Sequence, residues 1–97
     1  MIRVRFDGAQ MTVSGHAGYA PAGRDIVCAA VSALVYALAG YLEETGQAER
    51  VDIRRGFADI RGTAAGTAAG TAALALVRCG VEQLAQAYPG CVEITGS

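Results

Sequence analysis

His16 and Cys28 are the two side chains whose types, taken together, could cut a peptide bond. A thiolate is a strong nucleophile, and an imidazole within reach can take the thiol proton and later return it to a leaving amine. The two residues stand 12 positions apart, and a glycine- and proline-bearing stretch at 15–24, Gly-His-Ala-Gly-Tyr-Ala-Pro-Ala-Gly-Arg, fills most of the interval. Three glycines and a proline exclude regular structure, so this stretch is expected to be a loop that returns the imidazole to Cys28. Asp25 follows the loop and heads a long apolar run. It suits a helix N-cap, its carboxylate accepting the backbone N–H of the third helical residue, Cys28. The unpaired N–H groups and the dipole at a helix start favour an anion, and a thiolate is one. The N–H groups around Val27 and Cys28 are then candidate donors to an oxyanion.

Each of these residues also has a plainer reading. A cysteine in an apolar helix is more often a small buried hydrophobe than a nucleophile, and a lone histidine is more often structural than catalytic. Asp25 either caps the helix alone or orients His16 as the third member of a triad; its charge would oppose thiolate formation if it lay close to the sulfur. Ser32 lies one turn beyond Cys28 on the same face and either bonds sulfur or substrate, or bonds back to its own helix. Tyr19 either closes over substrate or packs on the base of the loop. Cys79 falls opposite the apolar stripe of its helix and is expected to be exposed. Cys91 sits at a strand start.

The elements that must hold these residues follow from periodicity. Ile2, Val4 and Phe6 alternate with Arg3, Arg5 and Asp7, a half-buried strand. Asp7-Gly8 signals a hairpin into a second strand carrying Met11 and Val13 and ending at Ser14-Gly15-His16. A helix is expected over about 25–44. Val51 and Ile53 mark a third strand, Arg55-Gly56 a turn, and 57–61 a fourth strand. Leu74, Val77, Val81, Leu84 and Tyr88 form the stripe of a second, amphipathic helix, stopped by Pro89-Gly90. A short strand over 91–95 closes the chain. The order ββαββαβ predicts an α+β fold: a mainly antiparallel sheet with two helices packed on one face.

Length and composition bound the rest. The 97 residues make one domain, 1–97, with 53% hydrophobic and 18% charged residues, which excludes disorder. The net charge is −1, with 8 arginines and no lysine, so no direct nucleic-acid binding is expected. Arg3, Arg5, Arg50, Arg54, Arg55 and Arg61 cluster in the strand regions as a local polar face. One histidine and three widely spaced cysteines leave a metal centre without ligands and a disulfide framework without pairs. No metal or cofactor is expected. A strand-like N-terminus and unpaired cysteines indicate a cytoplasmic protein. Residues 26–42 run for 17 positions without a charge, short of the roughly 20 a membrane span needs. They are expected to form a fully buried helix away from any membrane, covered by the sheet on one side and by a second subunit on another. A homodimer follows. Residues 62–73 read Gly-Thr-Ala-Ala three times over; 62–66 are expected to be flexible, and the remainder is left open.

The stretch from Ser14 to Ser32 resembles the signature of the ribosomal-processing cysteine protease family, Prp. The resemblance rests on Gly-His-Ala-Gly-Tyr-Ala and on Gly-Arg-Asp-Ile-Val-Cys-Ala-Ala-Val-Ser at the family's separation. The element order and the final Tyr-Pro-Gly-Cys-Val-Glu-Ile carry it more weakly along the chain. It implies a small dimeric α+β thiol protease without a cofactor. His16 and Cys28 would be its catalytic pair, with Asp25, Ser32, Gly15, Tyr19 and Val27 supporting the site or binding substrate. The glycine-rich loop would move when substrate binds. The implied substrate is the N-terminal extension of the bacterial large-subunit ribosomal protein numbered twenty-seven. The Gly-Thr-Ala-Ala repeat departs from the family pattern. The alternative is a non-catalytic ribosome-associated binding or assembly module, with Cys28 in the core and the arginine-bearing strands doing the binding. A weaker third reading is a thiol redox sensor.

Overall fold

The computed structural model describes residues 1–21, 23–63 and 67–96. Strand β1 (Ile2–Asp7) turns through Gly8 into β2 (Gln10–Gly15). Helix α1 (Ile26–Glu44) leads to the hairpin of β3 (Ala48–Arg54) and β4 (Phe57–Gly62). Helix α2 (Ala68–Ala87) then leads to β5 (Val92–Gly96). The order is the expected ββαββαβ.

The five strands form one sheet in the order β3-β4-β2-β1-β5. Three pairings are antiparallel, and β5 lies parallel to β1. Alternation along each strand puts one set of side chains in the core: Ile2, Val4 and Phe6 of β1, Met11 and Val13 of β2, Ala58 and Ile60 of β4. Both helices are crossover connections that cover this face. Val27, Val31, Val35, Leu38, Ala39 and Leu42 of α1 and Val77 and Val81 of α2 complete a single core. Leu34 of α1 packs where α2 has Gly80, which lets the two helices approach closely. The bare face of the sheet is polar. On it Arg50 Nε meets Asp59 at 2.9 Å and Arg54 Nε meets Asp52 at 3.2 Å.

Several expectations need correction. Helix α1 is not fully buried within the chain. Ile26, Ala29, Ala33, Tyr36, Ala37 and Gly40 recur at helical spacing as an exposed, uncharged stripe, and Tyr36 is 62% exposed. The sheet and α2 together cover only part of the helix, because a layer packs against the side that faces it and both helices lie on one face of the sheet. By length and hydropathy α1 could span a bilayer; its inner side is instead the middle of this core. Gly62 is not flexible: it ends β4, with its N–H donating to Ala9 O at 2.9 Å. Residues 64–66 of the repeat lie outside the described residues. The later part of the repeat is helical, capped by the Thr67 hydroxyl accepting from Gly70 N. Gly70 disfavours a helix by about 1 kcal/mol relative to Ala, and the cap and the packing of α2 on the core offset it. The final strand begins at Val92, so Cys91 belongs to the preceding turn. Arg55 sits in the β3–β4 turn rather than on the polar sheet face.

The contrast between inner and outer sites gives a stability prediction. Leu38→Ala, at a position 2% exposed, is expected to lower unfolding free energy by about 2–5 kcal/mol. Leu76→Ala, at a position 73% exposed, should stay within about 0.5 kcal/mol. Urea unfolding of the two variants measures the difference.

Candidate active site

A single carboxylate assembles the site. Asp25 is 9% exposed and stands at the N-cap of α1 in extended backbone conformation. Its Oδ1 accepts from Val27 N and Cys28 N, each at 3.0 Å. Its Oδ2 accepts from Tyr19 N at 3.0 Å and Ala20 N at 3.3 Å. A carboxylate offers about four lone-pair positions, and four backbone amides fill them. One side chain therefore caps the helix and pins the middle of the loop onto it. The Cys28 N–H, with help from Ala20, Tyr19 and Val27, holds the Asp25 carboxyl below its ordinary range, against the opposing effect of burial.

This geometry decides two open questions from the sequence. Asp25 is a cap and a loop anchor; its acceptor positions are taken by main chain, not by the His16 ring. The Val27 and Cys28 N–H groups, expected as oxyanion donors, are both occupied by Asp25. Another amide reaches the sulfur: Ala17 N–H donates to Cys28 Sγ at 3.3 Å. Ala17 directly follows His16, so the loop that carries the imidazole is hydrogen-bonded to the Cys28 sulfur through its own backbone.

Cys28 is partly buried, at the third position of α1, and His16 is exposed at the end of β2. Both line a cleft of about 600 Å³ between α1 and the tip of the β3–β4 hairpin. Gly15, Asp25 and Ser32 line it as well. Gly15 has φ +92, and a Cβ there would strike the Met1 carbonyl oxygen, so only glycine lets β2 end beside the N-terminus. Two expected residues lie elsewhere. Val27 is fully buried in the core. Tyr19 turns away from the cleft and meets Tyr88 edge-on, with ring centroids 5.4 Å apart. It packs the loop onto the end of α2 and does not cover the sulfur. Its position follows from the Tyr19 N–H bond to Asp25, which fixes the backbone and leaves the ring facing α2.

Sequence reading missed the far wall of the cleft: Tyr36 on α1, and Ile53, Arg54, Arg55, Gly56 and Phe57 at the hairpin tip. The Arg55-Gly56 turn was readable as a turn, but no local signal brings it to His16, some forty positions away along the chain. All three cysteines are free; Cys79 is exposed on α2. Among the described residues no group of three or more His, Cys, Asp or Glu gathers to hold a metal.

The residues from 1 to 93 match the family model described as cysteine protease Prp. A curated relative, the ribosomal processing cysteine protease Prp of Mycoplasma pneumoniae, is 38% identical over 52 residues, covering 54% of this chain and 52% of that protein. The match thus spans about half the length of each. The fold is that of a Staphylococcus aureus ribosomal processing protease Prp solved with a covalently linked product peptide. That likeness has a TM-score of 0.84 and 16% identity, covering 99% of this chain and 97% of that one. The same protease with a substrate peptide gives a TM-score of 0.78 at 14% identity over the same shares. The protein SMU.848 of Streptococcus mutans gives 0.75 at 27% identity, covering 99% of this chain and 93% of that one.

The lowered Asp25 ionisation makes the site pH-sensitive in one direction. Its stabilising contribution is complete above the unfolded carboxyl value of about 3.9 and is lost as pH falls through the lower folded value. Asp25→Asn replaces one acceptor oxygen by a donor that faces two N–H groups. The stability gap between wild type and this variant is expected to be flat down to about pH 5 and to shrink below about pH 4. Urea unfolding at a series of pH values tests it.

Proposed function

The chain belongs to the cysteine protease Prp family, and from that premise we propose that it is a cysteine endopeptidase with Cys28 as nucleophile and His16 as general base and acid. The observation that carries this reading is the bond from Ala17 N–H to Cys28 Sγ inside a cleft that His16 also lines. The non-catalytic reading required Cys28 to be enclosed core, whereas its sulfur borders an open cleft.

The reaction follows from these groups. His16 takes the Cys28 proton, and the thiolate adds to the carbonyl carbon of the scissile bond. The oxyanion forms beside the sulfur, and the Ala17 N–H, which donates to Cys28 Sγ at rest, turns to it once the sulfur is acylated. The C–N bond breaks as the His16 imidazolium gives its proton to the leaving amine. A thioester remains. Water, deprotonated by His16, adds to it, the C–S bond breaks, and thiolate and imidazolium are restored. No metal or cofactor enters the balance.

The substrate in this reading is the N-terminal extension of the large-subunit ribosomal protein numbered twenty-seven. It is supported by the ribosomal-processing name of the M. pneumoniae relative and by the peptide-bound state of the S. aureus structures. We place the enzyme in the cytoplasm, where that precursor is made. The loop at 15–24 is the element that would shift on substrate binding, since its exposed middle, Gly18 and Tyr19, is held by few contacts besides backbone bonds to Asp25. We further infer a homodimer in which the exposed stripe of α1 is the covered surface.

Cys28→Ala is expected to abolish cleavage of a peptide carrying the extension, and His16→Ala to lower it by about 10²–10⁴. Iodoacetamide near neutral pH should label Cys28 ahead of Cys79 and Cys91 in wild type, and lose that selectivity in His16→Ala. Retained cleavage in Cys28→Ala, read by mass spectrometry, would remove Cys28 as nucleophile, and no cleavage by the wild type would return the assignment to a binding module. Ala33→Glu, on the stripe and outside the cleft, should convert a dimer to a monomer by light scattering.

A further inference from the structure

Gly56 stands in the β3–β4 turn with φ +74, and a β-carbon built on it would lie 3.1 Å from His16 Nε2 and 3.2 Å from Cε1. The imidazole therefore lies against Gly56 on the side from which any other residue would project its side chain, closer than an ordinary β-carbon contact allows. The backbone makes a second connection. Gly15 N–H donates to Gly56 O at 3.0 Å, and on the other side of His16 the Ala17 N–H donates to Cys28 Sγ at 3.3 Å. His16 is thus bracketed, its preceding residue tied to the hairpin turn and its following residue to the nucleophile.

We propose that Gly56 is a positioning residue for the proteolytic reaction: its missing side chain is the seat of the His16 imidazole, and its carbonyl fixes the strand end from which His16 projects. The inference rests on the assignment of His16 as general base and acid. It adds a role for the β3–β4 hairpin, which otherwise contributes only a wall to the cleft. A β-carbon at 56 would push Nε2 and Cε1 away by a few tenths of an ångström or rotate the ring to another rotamer. Either movement misdirects the proton transfer, and a change of rotamer carries Nε2 beyond the misplacement of about 1 Å that lowers turnover by about a hundredfold.

The left-handed backbone at 56 needs separate control. Asn tolerates positive φ better than other residues with a side chain, so Gly56→Asn retains the turn while introducing the β-carbon. Gly46 has φ +70 with nothing within 4 Å and lies outside the cleft, so Gly46→Asn carries the same backbone demand without the collision. Gly56→Asn is expected to melt close to Gly46→Asn and to lower kcat for the extension peptide by about a hundredfold, with KM changed far less. The ring resonances of His16, the chain's lone histidine, should shift in Gly56→Asn and stay in place in Gly46→Asn.

The decisive comparison is made without His16. Gly56→Asn is expected to slow Cys28 alkylation to the rate of His16→Ala and to slow it no further in the His16→Ala background. Cleavage by Gly56→Asn equal to that of Gly46→Asn overturns the proposal, as does a slowing of alkylation that persists when His16 is absent. Should Gly56→Asn fail to fold, the double variant His16→Ala/Gly56→Asn has room for the new side chain and is expected to fold like Gly46→Asn; a double variant that remains unfolded overturns the proposal. Normal alkylation and cleavage in His16→Ala would instead remove the general-base assignment, and this inference with it.

Discussion

The carboxylate of Asp25 is the constraint on which the cleft depends. A helix start leaves four N–H groups without partners, and a glycine-rich loop has almost no contacts of its own to set its path. Asp25 answers both deficits, with one oxygen on the helix and the other on the loop. Charge-assisted hydrogen bonds are roughly twice as strong as neutral ones, so four converging on one partly shielded group give the loop a definite position. The Ala17 N–H then reaches the Cys28 sulfur as a consequence of where the loop is pinned. The sequence argument for a reactive cysteine invoked bare N–H groups at the helix start. In the structure Asp25 already satisfies two of them, and the environment of the sulfur is set by the returning loop and the cleft instead.

The division of labour among elements follows from this. Cys28 rides on the first turn of a helix whose opposite side, with Val27 and Val31, is core. The imidazole stands at the end of β2, a central strand paired on both edges, and the hairpin β3–β4 supports it from across the sheet. Between them runs the loop, held by hydrogen bonds, by the Tyr19–Tyr88 contact and by the buried Ala17, while Gly18 and Tyr19 are exposed. Rigid elements carry Cys28 and His16, and a lightly packed segment joins them, which is where local opening is least costly.

What could be read from the sequence was whatever repeats over a short distance. Alternation gave β1 and β2, helical spacing gave the buried side of α2, and the Asp25 cap was visible because its partner lies three residues away. The fold class followed from element order. Pairings between distant segments left no local trace: β5 lying parallel to β1, Gly56 against His16, and the hairpin tip forming the second wall. The uniform apolarity of α1 was ambiguous for a related reason. Hydropathy records that a side chain suits an apolar environment, and cannot distinguish the core side of Val31 and Leu38 from the exposed stripe of Ala33 and Tyr36 when neither carries charge.

That stripe bears on the site as well as on solubility. Tyr36 is both its largest exposed side chain and a lining residue of the cleft. Cys28, Ser32 and Tyr36 climb one side of α1 at intervals of four, so the Cys28 sulfur, the cleft wall and the outer stripe share one helix surface. The polar face of the sheet contrasts with this: there Arg50 and Arg54 are met within the chain by Asp59 and Asp52. The outer stripe and one wall of the cleft are thus parts of one nineteen-residue helix, α1, and meet at Tyr36.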